Sequence, residues 1–507
     1  MNQDHSSKVQ FSPDDLALFS AASHDRNPLH LSAEYARKTS FGQQVVFGIL
    51  GAFGCLGRVE PRLNCTLSRF SLEFRHPVFL GIEYEVTTAE HSPGTISAKL
   101  CDGSKVLIKA DFTLAQNNSV APTSGALPEA EAPLQIPADP DDTEFTEGTI
   151  ARGKYWPDQT AMAELLHRFG IDEHAFGKLQ LSALLWSSYL IGMEQPGLRA
   201  LFSKLSLAFE NTHEYQADRL SYEARVISLN AFGSLRSELQ LFSGARSVAK
   251  GESRAFVIPK SRVQSVSELA SLVPQSEQLK GKVALVVGAS RGLGAMLSAA
   301  LVLQGCTVVV NFNRSESEAR SLQVNLKEAP GRVALEKGDA ADVNWCEQLA
   351  ERISRQYGRL DFLICNACPA LLPLNIEPKT AERINSYVRN AFALVSVPLS
   401  VFSKLLAETS GWSVVISSIA VETSPKEWPH YVAVKCALEG FLRVVAIQYP
   451  RANYLLVRPS RLQTDLVKGP SNVPFGIAKA MPPEVAAAKI VERLQGATTG
   501  TVEVFRV

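Results

Sequence analysis

Two architectures in one chain are predicted from the sequence: a repeated α+β unit, followed by an α/β unit built on a doubly wound parallel sheet. Three observations predict this. RFSLEF (69–74) recurs as KLSLAF (204–209) at an offset of 135 positions. The glycine-dotted turn VVGASRGLG (286–294) joins the apolar strand VALVV to a helical stretch. The hydropathy period also changes along the chain. IEYEVTTA and SYEARVIS alternate with period two, whereas beyond residue 280 apolar strands alternate with longer helical segments such as WCEQLAERISRQYG.

The first helix has a marked start. Ser12 suits the N-cap, Pro13 the first helical position, and Asp14 and Asp15 the positive end of the dipole. It must stop within ASHDRNPLH (22–30), because Pro28 drives Asn27 out of the helical region, so Asp25 and His30 flank a turn. A carboxylate and an imidazole converging on one volume suit hydration or dehydration of an enoyl thioester. One group activates water, the other exchanges the α-carbon proton, and backbone N–H groups hold the developing enolate. The same residues also suit a simple capped turn. Carrying the offset of 135 back through the helix places Asp25 on Thr160, His30 on Leu165 and Phe47-Gly48 on Ser182-Ala183, so the second copy lacks the pair. His167 and His174 of that copy lie in no Asn-Pro turn.

The last third carries a reductase pattern. Tyr431 is a proton donor with Lys435 one helical turn on, whose ammonium is expected to draw the phenol pKa down from about 10. Ser418, after the apolar run SVVIS, is placed to hydrogen-bond a substrate carbonyl. Gly288, Ser290, Arg291, Gly292, Leu293 and Gly294 form a strand-to-helix turn of the type that cradles a pyrophosphate. The second strand ends in VVVNFNRS without an acid to contact a ribose hydroxyl. Arg314 and Arg291 can meet a 2′-phosphate, which points to NADPH rather than NADH.

On these motifs, residues from about 281 to 507 resemble the short-chain dehydrogenase/reductases, and among them the 3-oxoacyl thioester reductases. The resemblance implies a Rossmann fold, with Ser418, Tyr431, Lys435 and the water-holding Asn390 as catalytic residues. It also implies that Asp339 and Asn366 line the cofactor site. Val287, CNAC (365–368) and RPSR (458–461) depart from the family pattern. ASHDRNPLH followed by FGQQVVFGILGAFGCLG (41–57) resembles the MaoC-like (R)-specific enoyl-thioester hydratases, which implies a hot-dog fold, catalytic Asp25 and His30, and a thioester-binding backbone at Gly48. Phe47 and His24 depart from that pattern. The expected fold is therefore a double hot-dog with a degenerate, structural second copy, then a Rossmann domain.

Composition places the joints. Residues 116–149 are rich in Pro, Ala and acids and read as an extended linker; residues 259–279 form a second linker with room for a short helix. The expected domains are 1–115, 150–258 and 280–507. Lys plus Arg equals Asp plus Glu at 51 each, so no net field favours nucleic acid or an anionic membrane. The apolar stretch at 45–57 is too short to insert in a bilayer, and a cytoplasmic location is expected. Eight scattered cysteines imply no disulfide framework, and the Cys365/Cys368 pair has no partners to complete a metal site.

Together the motifs imply a 3-oxoacyl reductase and 3-hydroxyacyl dehydratase acting on an acyl thioester of an acyl carrier protein or coenzyme A, in a chain that forms homo-oligomers through its reductase domain. Two alternatives stay open: the reverse, NAD-linked degradative direction, and a hot-dog pair that only binds the acyl chain.

Overall fold

A computed structural model describes residues 5–37, 39, 41–62, 65–116, 133–139, 145–210, 220–230, 233–243, 246–258, 264–273, 275–464, 480–496 and 501–507. The chain divides into two units, Met1–Lys260 and Ser261–Val507.

Among the described residues of the first unit, ten strands form one sheet. They are β1 (His5–Gln10), β2 (Cys65–Phe74), β3 (Glu83–Ser92), β4 (Thr95–Asp102) and β5 (Lys105–Gln116), then β6 (Ile150–Tyr155), β7 (Ala200–Phe209), β8 (Leu220–Leu229), β9 (Ser234–Ser243) and β10 (Arg246–Val257). From the centre outward one half runs β2-β5-β4-β3-β1 and the other β7-β10-β9-β8-β6, the same order twice. At the junction β2 lies antiparallel to β7, with Ser71 opposite Ser206. These two serines are each other's counterparts at the offset of 135, so a local two-fold axis passes between them. The helices Gly48–Leu56 and Lys178–Tyr189 share one core with inward residues of both halves, among them Phe70, Val86, Leu205 and Leu239. Each such large apolar side chain contributes about 1.5–3 kcal/mol on burial.

The repeat is not ungapped through the first two helices of each half. The first helix, Pro13–Ser23, ends at His24 with φ 58°, and its counterpart, Gln159–Phe169, ends at Gly170 with φ 69°. This shared left-handed cap puts Ile171 in the place of Asp25, not Thr160. The short helix Pro28–Leu31 likewise corresponds to Glu173–Phe176, putting Ala175 and not Leu165 in the place of His30. The repeated RFSLEF strand lies beyond the gap and carries no information about it. His167 and His174 are exposed. Part of the expected linker is packed: Ala138 N–H donates to Met193 O at 2.8 Å and Arg199 pairs with Asp139 at 2.9 Å.

Among the described residues of the second unit, seven strands form a parallel sheet, ordered β13-β12-β11-β14-β15-β16-β17. Its strands are β11 (Val283–Val287), β12 (Thr307–Phe312), β13 (Arg332–Lys337), β14 (Phe362–Cys365), β15 (Trp412–Ile416), β16 (Asn453–Arg458) and β17 (Val502–Arg506). Every residue of β11, β14 and β15 is buried, as continuous apolar strands covered on both faces must be. A helix at Val266–Leu272, within the expected second linker, packs its Leu269 into the core of this unit. The helix Pro378–Thr409 is long and apolar enough to cross a membrane by length and composition alone, and its Val395, Leu399, Phe402 and Leu406 face the core of the second unit.

Candidate active sites

Asp25 follows the first helix directly and is 2% exposed. Ser188 Oγ donates to its Oδ2 at 2.7 Å, and the Asn27 N–H donates to Oδ1 at 3.1 Å. Burial outweighs both bonds and pushes the carboxyl up to about 7. Asn27 Oδ1 caps the Pro28–Leu31 helix by accepting from Leu29 N–H, so the capped turn and the buried carboxylate coexist.

His30 is half-buried, with Nδ1 2.6 Å from Val45 O. A carbonyl oxygen only accepts, so Nδ1 carries the proton and Nε2 keeps its lone pair. Burial holds the imidazole down to about 4, hence neutral at physiological pH. Its ring stacks on Phe47 with centroids 3.9 Å apart, giving the Phe47 departure a physical role. Phe47 is also the N-cap of the Gly48–Leu56 helix and makes no side-chain cap bond. The first N–H groups of that helix, beginning at Gly48, are thus presented as donors for an oxyanion.

In the second unit Ser418 follows β15, and Tyr431 and Lys435 lie on the helix Pro429–Gln448. Tyr431 is 7% exposed, among Leu371, Ala420 and the partly buried Cys368, Tyr387 and Trp428. Ser418 is hydrogen-bonded to Tyr431 and favours its phenolate, but burial and the neighbouring Cys368 raise the phenol above its ordinary value. This corrects the expectation that Lys435 lowers it. Lys435 Nζ donates to Ile416 O at 2.7 Å and stands 5.4 Å from the Tyr431 ring centroid. Asn390 lies on the Ala381–Thr409 helix and is exposed.

The glycine turn is tight where it leads into the helix Gly292–Leu303. A Cβ on Gly294 would lie 2.2 Å from Gly288 O and 2.6 Å from Asn366 Nδ2, and that Nδ2 donates to Gly288 O at 2.9 Å. Only a bare Cα fits there, which lets the turn run close to the helix start, the backbone geometry that a dinucleotide pyrophosphate requires. Arg291 is the N-cap of the helix, and Ser290 and Leu293 lie in the same turn. Arg314 is exposed just past β12; Asp339 is exposed after β13, its carboxylate accepting from Ala341 N–H at 2.9 Å.

Sequence reasoning missed several neighbours. Ser188 and Gly192 adjoin Asp25, Tyr387 and Cys368 adjoin Tyr431, and Thr464 adjoins Gly292. Gln264 Oε1 accepts from the Gly292 N–H at 3.1 Å, at the start of the glycine-turn helix. Cys368 in CNAC, Tyr387 three residues before Asn390 and Thr464 close after RPSR lay near motifs, whereas Ser188, Gly192 and Gln264 did not.

The parallel order, the glycine turn and the Ser418–Tyr431–Lys435 group define an oxidoreductase unit, joined to a unit in which a turn carries a buried Asp25 and a half-buried His30. Residues 282–472 match the family described as short chain dehydrogenase, and residues 1–103 match the MaoC like domain. The chain is thus a MaoC-like domain, of hot-dog fold, fused to a short-chain dehydrogenase. Over 222 residues it is 28% identical to a fatty acyl-CoA reductase of Acinetobacter baylyi, covering 42% of this chain and 73% of that protein. Over 193 residues it is 30% identical to hydroxynaphthalene reductase arp2 of Aspergillus fumigatus, covering 37% and 69%. A short chain dehydrogenase from Burkholderia cenocepacia in complex with NADP is similar at 23% identity and a TM-score of 0.41, covering 45% of this chain and 97% of that one.

Proposed function

We propose that the chain is a bifunctional 3-oxoacyl-thioester reductase and (R)-3-hydroxyacyl-thioester dehydratase, taking a 3-oxoacyl thioester to a trans-2-enoyl thioester with NADPH. The first unit is then a double hot-dog whose second copy has lost its own acid and base. The reading is carried by one observation: a phenol hydrogen-bonded by Ser418 and an Asp25-His30 turn share a chain, and their two chemistries meet at a 3-hydroxyacyl thioester.

A bound NADPH supplies the hydride. Ser418 orients the ketone oxygen and Tyr431 protonates it, while Lys435, held by Ile416 O beside the Tyr431 ring, would position the nicotinamide half of the cofactor and Asn390 would hold a water for proton return. The Gly288–Gly294 turn, including Ser290 and Leu293, would hold the pyrophosphate, Arg291 and Arg314 the 2′-phosphate and Asp339 the adenine, with Asn366 bracing the turn through Gly288 O. The absence of an acid in the stretch after β12 supports NADPH over NADH.

In the first unit, considered in the hydration direction, His30 Nε2 takes a proton from the water adding to the β carbon. Asp25, largely protonated below about 7, delivers a proton to the α carbon, and the Gly48 N–H receives the thioester oxygen as the enolate develops. Dehydration reverses these steps. The thioester handle is an acyl carrier protein or coenzyme A. Self-association through the reductase unit is supported by Val444 and Ile447, exposed on the Pro429–Gln448 helix.

The test is NADPH oxidation with a 3-oxoacyl thioester, followed by mass detection of water loss. Tyr431→Phe should cut reduction by about 10²–10⁴-fold, and His30→Ala should abolish hydration while sparing reduction. Undiminished NADPH oxidation by Tyr431→Phe refutes the reductase assignment. A second reading, reduction of a hydroxynaphthalene-type ring ketone, is favoured by Tyr387 and Trp428 beside Tyr431. Comparing kcat/KM for the two ketone classes decides between them.

A further inference from the structure

The turn that carries Asp25 is fastened to the other half of the repeat. Ser188 and Asn27 each give one carboxylate oxygen a donor, at 2.7 and 3.1 Å. Ser188 lies on the helix Lys178–Tyr189, which runs into a π-helical turn at Leu190–Glu194. Such turns recur at functional sites because the extra residue re-aims the backbone beyond it. Within it, a Cβ on Gly192 would lie 2.4 Å from Asp25 Oδ1 and 2.5 Å from Oδ2. Asn27 Nδ2 adds bonds to Gly192 O and Gly197 O, both at 3.2 Å, and Arg26 N–H points to Met193 Sδ at 3.0 Å.

The mirrored place in the first half is built differently. Gly57, at the offset of 135 from Gly192, also approaches the opposite half closely, but a Cβ there would meet the backbone Phe169 O at 2.0 Å and no carboxylate. At the same offset Phe53 stands opposite Ser188. The hydroxyl is present on the side that has a carboxylate to hold.

We infer that Ser188, contributed by the half that lost its own acid and base, is a positioning residue for the hydration site, fixing the Asp25 carboxyl in a slot that Gly192 leaves open. This rests on Asp25 and His30 forming a hydration site. The groups around the carboxyl are accounted for. Tyr155 on β6 donates to Ser23 O at 3.1 Å, Glu194 accepts from Tyr222 at 2.6 Å and from Tyr189, and Arg26 is bonded to Gln135. Among the described residues no cation sets the titration of Asp25.

The experiment follows the Asp25 carboxylic acid by its infrared carbonyl band, assigned by its loss in Asp25→Asn, in the full chain and in Ser188→Ala and Ser188→Cys; cysteine keeps the volume without a strong donor. Both variants should move the Asp25 midpoint up by about one pH unit, because a donor to the charged form is gone. The alkaline limb of enoyl-thioester hydration should move with it, while NADPH-dependent reduction stays unchanged. A midpoint unmoved in both variants overturns the inference. A midpoint that moves in a protein whose wild type hydrates no enoyl thioester overturns the hydration reading instead, leaving Ser188 the holder of a structural carboxyl.

Discussion

Asp25→Asn should stabilise the first unit, and more so as the pH rises. The carboxyl titrates at about 7 in the folded protein against an ordinary value of 3.8. A group whose folded pKa lies above its unfolded one stabilises the fold below the unfolded value, and that advantage is lost as pH climbs through the folded value. At 1.36 kcal/mol per pH unit, keeping Asp25 folded costs about 2 kcal/mol at pH 5 and about 4 kcal/mol at pH 8, relative to full protonation. Asparagine removes the titration while keeping the size. Its NH2 can face Ser188 Oγ, which turns to accept, and losing the bonds to a charged group costs about 1 kcal/mol that is the same at every pH. The stability gap between variant and wild type should therefore widen by about 2–3 kcal/mol from pH 5 to pH 8, or roughly 5–10 °C in the transition of this unit. Calorimetry of the full chain with NADPH present, which raises the reductase transition by mass action, isolates the change. An equal gap at both pH values refutes the buried, ionising carboxyl. The variant should also lose hydration.

Arg314→Ala should raise the KM for NADPH by about 10-fold or more while leaving that for NADH unchanged, because a charge-assisted bond to a 2′-phosphate is worth about 1.5–3 kcal/mol; steady-state kinetics with both cofactors checks this. Gln264→Ala should tighten NADPH binding, measured by nucleotide fluorescence, because the Gln264 oxygen now holds the Gly292 N–H that a pyrophosphate oxygen would use. An unchanged or weaker Kd counts against that competition.

Much of the fold and of both sites is legible along the chain, and the physical reasons for the rest are specific. The glycine turn, Ser418, Tyr431 and Lys435 lie in patterns whose chemistry dictates their spacing, and the first helix start is local: Ser12 is the N-cap its position suggests, and Asp15 adds a reciprocal bond that the dipole reading did not include. Ser188 is 163 positions from Asp25, and no periodicity reports a contact made across a two-fold axis. The direction of the Tyr431 shift escapes the sequence because a lysine one turn away is visible there, whereas the enclosure by Leu371, Tyr387 and Trp428 is not. The counterpart of Asp25 is misplaced when an offset valid in a strand is carried across a gap that only the helix caps reveal.

The pairing of Ser71 with Ser206 marks where two identical partners would meet if each half were a separate chain. In such a symmetric assembly every substitution appears on both sides at once, and a hydroxyl introduced to serve one carboxylate must be tolerated at its twin. Covalent linkage lifts that constraint: each side diverges alone, so one can specialise in chemistry and the other in support.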